Sequence, residues 1–415
     1  MGWVTVDAPP HDDLSSCVQC GLCLPHCPTF RLTGNEAASP RGRLMAMTAV
    51  GHGIADVDDS FEEMMWFCLQ CRACEAACPS LVPFGRLMEG ARAEVQTQRP
   101  STPKRLRHLA LGRLLGWRKL MLFVTFLLAL LQRVGLSFLL PTTLRKGVRG
   151  LRTLPLFGRT TAGSLYAAYG DVQGRAGLLA GCVMDPWFGD VNQATIELLR
   201  RCGWDVLVPD GQICCGALAA HDGAAEPARR LARRNEEAFA DVDIVVTNSA
   251  GCGAHLKEYA TWSDLGSESL GPKARDVTEV IAAGLASGRL PTFPANGQKA
   301  AQQDPCHLRH AQRITSQPRA LIQAAGFEVA ELDPDGICCG AAGIYSILEP
   351  DASAELGRRK AAYIEASGAS LVASANPGCE MQLRQHLSSG HRIAHPVELY
   401  WEALAAGEGR SSRDQ

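Results

Sequence analysis

Acid is missing from one stretch of this 415-residue chain. From Gln96 to Gly170 there is no Asp or Glu, while Arg and Lys occur thirteen times. Against a net charge of −2, that basic island implies an anionic partner for the segment. Nucleic acid is not that partner, because no base-reading motif accompanies the charge. Long apolar runs are missing too. The stretch Leu120–Leu131 would span about 18 Å as a helix, short of the roughly 30 Å of a bilayer core. The N-terminus has no basic segment leading into an apolar one, so no secretory leader is expected and the chain reads as cytoplasmic. No G-x-G-x-x-G opens a helix, and neither a P-loop nor a serine–histidine–acid arrangement occurs, which leaves nucleotide binding and acyl transfer without a motif.

Cysteine, by contrast, is abundant. The count of 17 is odd, and in a chain of this kind that points to metal or redox chemistry rather than to disulfides. Cys17-x-x-Cys20-x-x-Cys23-x-x-x-Cys27-Pro28 recurs as Cys68-x-x-Cys71-x-x-Cys74-x-x-x-Cys78-Pro79. This is the bacterial ferredoxin run, whose fourth cysteine ligates the other [4Fe–4S] cube. One cluster is therefore expected on Cys17, Cys20, Cys23 and Cys78, and the other on Cys68, Cys71, Cys74 and Cys27. Paired structural zinc sites are the alternative, since four thiolates also suit zinc. Between the runs, Ser39-Pro40 reads as a capped helix start and Phe61–Trp66 as a further helical piece. Arg41 and Arg43 are expected on a solvated helix face, with balancing of cluster charge as the other reading.

The second half carries a duplication. Ile213-Cys214-Cys215-Gly216-Ala217 returns 124 residues later as Ile337-Cys338-Cys339-Gly340-Ala341. Each copy has one cysteine upstream, Cys182 and Cys306, and one downstream, Cys252 and Cys379. Apolar strands at Gly177–Gly181, Trp204–Val208 and Asp243–Thr247 alternate with helices at Asn192–Arg201 and Glu226–Ala240. Matching elements follow at Ala320–Ala325, Glu328–Leu332, Ala352–Ala366 and Ser370–Ser374, with Ser287–Gln303 as the linker between copies. Such alternation predicts a parallel α/β sheet, whose sites lie at strand ends. Four thiols per copy suit an iron–sulfur cluster, a tetrahedral zinc or a cycling dithiol. His221, His255, His307 and His310, with Asp304, are read as hydrogen-bonded neighbours that could tune such a site. Cys202 has no counterpart in the second copy and is expected in the core.

The connector between these parts places Trp117, Phe123 and Phe126 among basic flanks. It fits a helix lying in a membrane interface, or a helical hairpin packed on the ferredoxin part or on a partner subunit. The expected fold class is thus α+β multidomain. A helical two-cluster ferredoxin domain (1–95) precedes the basic amphipathic connector (96–170). The duplicated α/β Cys-Cys-Gly module (171–290 and 291–404) and a disordered tail (405–415) follow.

Two ferredoxin runs followed by two Cys-Cys-Gly modules resemble the iron–sulfur subunit of glycolate oxidase. Its relatives serve lactate utilisation, anaerobic glycerol-3-phosphate oxidation and heterodisulfide reduction. The resemblance is carried by Ser39-Pro40-Arg41-Gly42-Arg43, Asp304-Pro305-Cys306-His307-Leu308, Cys338-Cys339-Gly340-Ala341-Ala342-Gly343-Ile344-Tyr345 and Asn376-Pro377-Gly378-Cys379. It implies an electron-transfer subunit that does not oxidise substrate alone. Its partners would be FAD-containing subunits that oxidise a 2-hydroxy acid and a quinone or other membrane acceptor, at the inner face of the cell membrane. The heterodisulfide reductase pattern would place a fifth cysteine where this chain has His255 and Gln382. The departure argues for an ordinary four-thiolate site or an unmetallated one, with His255 as a possible ligand. The other class of function is a self-sufficient thiol or disulfide reductase.

Overall fold

The structure, a computed structural model, describes residues 2–135, 142–156, 162–262, 265–333 and 336–409. Its N-terminal part is helical. Ser39 caps the helix Pro40–Gly51 by accepting from Gly42 N at 2.9 Å, and Asp58 caps Asp59–Trp66 in the same way. The helix Phe84–Gln98 runs past Val95, and its inward face of Leu87, Met88, Ala91 and Val95 packs on Met47, Phe61 and Met65. Apolar residues three and four apart on each helix form this core. Arg43 is not on a solvated face, as expected above, but fully buried. Its guanidinium donates to Ala38 O at 2.8 Å, Met64 O at 2.8 Å and Thr29 Oγ1 at 3.2 Å. Those oxygens offset the desolvation of the charge, and nothing in a charge pattern alone signals them. Arg41 stays at the surface, paired with Glu36 at 2.7 Å.

Two sheets make up the remainder. The first runs in the order β1 (Ser164–Tyr166), β3 (Trp204–Val208), β2 (Gly174–Leu178), β4 (Ile244–Thr247) and β5 (Ala274–Asp276). The second runs β7 (Glu328–Ala330), β6 (Lys299–Gln303), β8 (Leu371–Ser374) and β9 (Arg392–Ala394). All pairings are parallel except β1 with β3. Removing β1 leaves the same strand order in each copy, as a duplication requires. Helices Gly189–Arg201 and Ala225–Ala238 cover the first sheet, Ser316–Ala324 and Pro350–Ala366 the second.

Three expectations need correction. Ser287–Gln303 is not all linker, because Lys299–Gln303 is the central strand β6; its sequence Lys-Ala-Ala-Gln-Gln lacks the apolar signature of a buried strand. The connector does not run free to residue 170, since Ser164–Tyr166 joins the first sheet. The expected tail begins as helix, Pro396–Gly407. Residues 410–415, and 136–141 of the connector, lie outside the described residues.

Several of the connector's cations pair with acids of the chain itself. Lys104 and Arg99 pair with Glu62, and Arg107 with Asp222. Arg152 grips Glu380 at 2.6 and 2.8 Å and Glu398 at 2.6 and 2.7 Å. This bidentate double pair ties the connector's end to the second module, where Gly150 lies so close to Met381 O that a Cβ would stand 2.4 Å from it. Burial opposes the charge of Glu398, but the Arg152 guanidinium outweighs it and holds the carboxyl below the usual range. A lowered folded pKa stabilises above the usual carboxylate value of about 4.3, and that contribution fades as pH falls through the lower folded value. Arg152→Met should therefore cost about 3 kcal/mol at neutral pH, because Glu398 loses its guanidinium and Glu380 keeps only Arg384 at 2.8 Å. Urea unfolding should show a loss that shrinks at acid pH. A midpoint equal to wild type at pH 7 would remove this clamp from the account.

Candidate functional site

The two ferredoxin loops share an unusual backbone. In each, the residue before the second cysteine, Gln19 or Gln70, and the residue after it, Gly21 or Arg72, have positive φ. Three of these four are not glycine, and such conformations persist where the surroundings demand them. Here they curl each Cys-x-x-Cys-x-x-Cys loop around a hollow, and Gln70 N donates to Cys68 Sγ at 3.3 Å. One cavity is lined by Cys17, Cys20, Cys23 and Cys78, with Cys74 also on its wall. A second is lined by Cys27, Cys68, Cys71 and Cys74. Each thus gathers three cysteines of one run and the fourth of the other. Cys20 is exposed at the first, whereas the four of the second are buried. Burial pushes the Cys23 thiol up to about 11 and those of Cys71 and Cys74 well above the usual range. Burial thus disfavours the thiolates of Cys23, Cys71 and Cys74, and a bound cationic metal core would favour them. The paired four-sulfur hollows fit two cubanes.

The Cys-Cys-Gly thiols converge at the carboxyl ends of the strands. Cys182 follows β2, Cys214 and Cys215 follow β3, and Cys252 begins the helix after β4, Ala250–Lys257. Cys306, Cys338, Cys339 and Cys379 follow β6, β7 and β8 in the same way. Between the first and third strands of each copy the chain order reverses, which is where open α/β sheets form sites. The shared glycine has a backbone reason. Gly216 and Gly340 have φ of 96° and 86°, and a Cβ on Gly340 would stand 2.6 Å from Ser353 O. Cys182 Sγ lies 3.4 Å from Cys214 Sγ, and Cys339 Sγ 3.1 Å from Cys379 Sγ. Thiols of Cys182 and Cys215 donate to Cys214 and hold it well below the usual range. Among the described residues no three His, Cys, Asp or Glu side chains converge as around a single ion.

The histidines divide by role. His307 Nδ1 is 3.6 Å from Cys306 Sγ, and its ring stacks on His221 with centroids 5.3 Å apart. His221 Nδ1 meets Glu89 Oε1 at 2.8 Å. Burial, reinforced by Arg92 and Arg72, pushes His221 down to about 3, so its ring is neutral. His255 is also neutral, pushed down to about 3 chiefly by burial, and its buried Nε2 has no hydrogen-bond partner. The counterpart Gln382 is occupied, donating to Ser353 O at 3.0 Å. Asp304 serves the fold, pairing with Arg319 at 2.9 Å and Arg309 at 3.3 Å. His310 is half-buried, its covered Nε2 without a hydrogen-bond partner, and Cys202 lies in the core of the first module.

What the motifs did not signal is how the parts abut. Leu69, Cys71 and Ala73 of the second ferredoxin loop pack in one cluster with Cys338, Tyr345 and Leu356, and Cys306 borders it. The same loop reaches the first module, where Gln70 Nε2 and Arg92 Nη1 donate to His221 O at 3.1 and 2.6 Å. Arg72 pairs with Glu75 at 2.6 Å and with Glu258 of the first module. The buried ferredoxin hollow is therefore in contact with both Cys-Cys-Gly modules.

Comparison with known proteins agrees with this architecture. Residues 13–82 match a 4Fe-4S dicluster domain, and residues 176–257 and 300–384 match a cysteine-rich domain. A probable glycolate oxidase iron–sulfur subunit of Bacillus subtilis is 36% identical over 94% of both chains. The glycolate oxidase iron–sulfur subunit of Escherichia coli is 30% identical over 94% of both. Lactate utilization protein A of Shouchella clausii is 33% identical over 50% of this chain and 88% of its own. The chain is an iron–sulfur protein and belongs to the glycolate oxidase iron–sulfur subunit family.

Proposed function

We propose that this chain is the electron-transfer subunit of a glycolate oxidase-type 2-hydroxy-acid dehydrogenase. It would take electrons from an FAD-containing partner and pass them towards a quinone-type acceptor. The observation that carries the reading is the contact of the buried Cys27, Cys68, Cys71 and Cys74 hollow with Cys306 and Cys338, while the Cys17, Cys20, Cys23 and Cys78 hollow opens at the surface. Iron–sulfur clusters held by those eight thiolates supply one-electron storage. The protein's own part is to exclude water from the inner hollow and to aim fixed groups at it. Arg92 donates to Cys68 O at 2.6 Å and stacks over Trp66 at 4.5 Å. Hydrogen bonds and nearby charge of this kind set cluster potentials. The Cys-Cys-Gly sets, Cys182/214/215/252 and Cys306/338/339/379, are proposed as further metal-holding centres, for an iron–sulfur cluster or zinc.

The connector supports a peripheral membrane position. No single described helix is long and apolar enough to cross a bilayer, and Thr102–Leu114 meets Arg118–Val134 at a bend of 103°. The inward stripe of Met121, Thr125 and Ala129 is buried, and Thr125 Oγ1 accepts from Trp187 Nε1 at 3.0 Å. Outward, Trp117, Phe123, Leu127, Leu130 and Val134 are exposed, with exposed Arg113 and Lys119 nearby. Apolar faces with basic rims suit anionic lipid surfaces.

Two measurements check these readings. Purified iron-loaded chain should show no glycolate- or lactate-dependent dye reduction and should gain it when the flavoprotein subunits are added. Robust turnover by the chain alone would overturn the electron-transfer reading in favour of a self-sufficient reductase. On anionic vesicles, Phe123→Ser, Leu127→Ser and Leu130→Ser together should release more protein than high salt does, because each large apolar side chain buried is worth roughly 1.5–3 kcal/mol and salt screens only the charges. Sedimentation of the triple variant equal to wild type would reassign that face to a partner subunit.

A further inference from the structure

A pair of acids lies where the ferredoxin part meets the first module. Glu89 stands on the helix Phe84–Gln98 and is buried. Glu258 caps the end of the helix Ala250–Lys257 and keeps 36% of its side chain exposed. Arg72, in the wall of the inner hollow, pairs with Glu258 and acts by its charge on Glu89. Yet Glu75 already holds that guanidinium at 3.1 and 2.6 Å. Arg92, one turn along the Glu89 helix, directs its donors to the carbonyls of Met65, Cys68 and His221. The Glu89 carboxyl has His221 Nδ1 at 2.8 Å as its hydrogen-bond partner. The rings of His221, His255 and His307 are pushed down chiefly by burial and add no positive charge. Three carboxyl groups thus share two guanidiniums. Burial outweighs the pull of Arg72 and Arg92 and lifts Glu89 to about 7. Burial and the charge of Glu89 move Glu258 in the same direction.

We propose that Glu89 and Glu258 form a redox-linked proton site, which takes up one proton when the inner cluster gains one electron. The proposal rests on the reading of the chain as an electron relay and adds what offsets the charge. Arg72 and Arg92 connect the acids to the inner hollow: Arg72 lines it, and Arg92 donates to Cys68 O at 2.6 Å. An electron added there competes with the carboxylates for the same two cations, and such charge effects are strong away from water. A carboxylate oxygen of the pair then forms an O–H bond with a proton from solvent, which reaches it at partly exposed Glu258. When the electron leaves, that O–H bond breaks and the proton returns to solvent. The electron comes from the reduced FAD-containing partner, so one electron and one proton enter and leave together. Linkage is reciprocal: if reduction strengthens proton binding, protonation strengthens electron binding by the same factor. The potential of the inner cluster therefore falls as pH rises through the range where Glu89 titrates.

The test is a redox titration of the full iron-loaded chain with dithionite and mediators, read by electron paramagnetic resonance. It is repeated from about pH 6 to about pH 8.5, to span the raised carboxyl value, and needs no flavoprotein. The inner signal is the one that Cys68→Ser removes. Its midpoint should fall by up to about 59 mV for each tenfold drop in proton concentration, the one-electron value. Glu89→Gln combined with Glu258→Gln should flatten that slope with iron content unchanged. Glu89→Gln alone should reduce the slope and is the variant to read if the double variant loses iron. A wild-type midpoint that does not move with pH overturns the proton site without any variant, and so does a slope that survives undiminished in both variants. A flat midpoint with flavoprotein-driven dye reduction intact would remove the proton site alone. The sloping midpoint without such dye reduction would remove the relay reading and keep the proton site.

Discussion

Everything in this molecule depends on where the Cys68–Cys74 loop sits. Its left-handed residues Gln70 and Arg72 curl the chain so that sulfurs face inward and side chains face out. Those outward side chains then fasten the loop to both Cys-Cys-Gly modules, Gln70 through His221 O and Arg72 through Glu258. Cys71 itself packs against the second module's thiol site. A cubane alone would stabilise the loop, but only this wedge brings the ferredoxin thiols into contact with the duplicated modules. Arg92 and Arg43, both buried and both spent on backbone oxygens, keep the loop's supports rigid.

The duplication explains a second feature, the asymmetry between the modules. Both copies keep the strand order, the left-handed glycine and four thiols at strand ends. They differ in what surrounds those thiols. The thiols of the second copy lie against the buried ferredoxin hollow, whereas Cys182 and Cys214 of the first lie near Leu115 and Met121 of the connector. His255, with an orphaned ring nitrogen, stands where the second copy has Gln382, whose amide donates to Ser353 O. One scaffold thus offers two environments, one turned inward and one turned towards the apolar face.

Much of this was legible in the residues. The ferredoxin runs state their ligand chemistry by spacing, and the repeated pentapeptide reveals the duplication. The strands Trp204–Val208 and Leu371–Ser374 stood out because they are short and apolar between turns. Other parts were hidden for physical reasons. The strand β6 carries Lys299, Gln302 and Gln303, and only its partners on both sides make it central. Arg43 looks like a surface charge until the carbonyls that receive it are folded around it. The basic connector suggested an external anion, yet Glu62, Asp222, Glu380 and Glu398, distant in sequence, pair with Arg99, Lys104, Arg107 and Arg152. The packing of Cys71 in one cluster with Cys338 joins residues 267 positions apart, and no local pattern encodes it.

The central claim is that two crossed thiol sets, one at the surface and one wedged against the Cys-Cys-Gly modules, are the working centres. Electron paramagnetic resonance of the dithionite-reduced chain, with Cys17→Ser, Cys27→Ser and Cys68→Ser compared, tests it most directly. The account predicts that Cys27→Ser and Cys68→Ser lose or alter the same [4Fe–4S] signal and that Cys17→Ser alters the other. A Cys27→Ser spectrum that matches Cys17→Ser instead would contradict it.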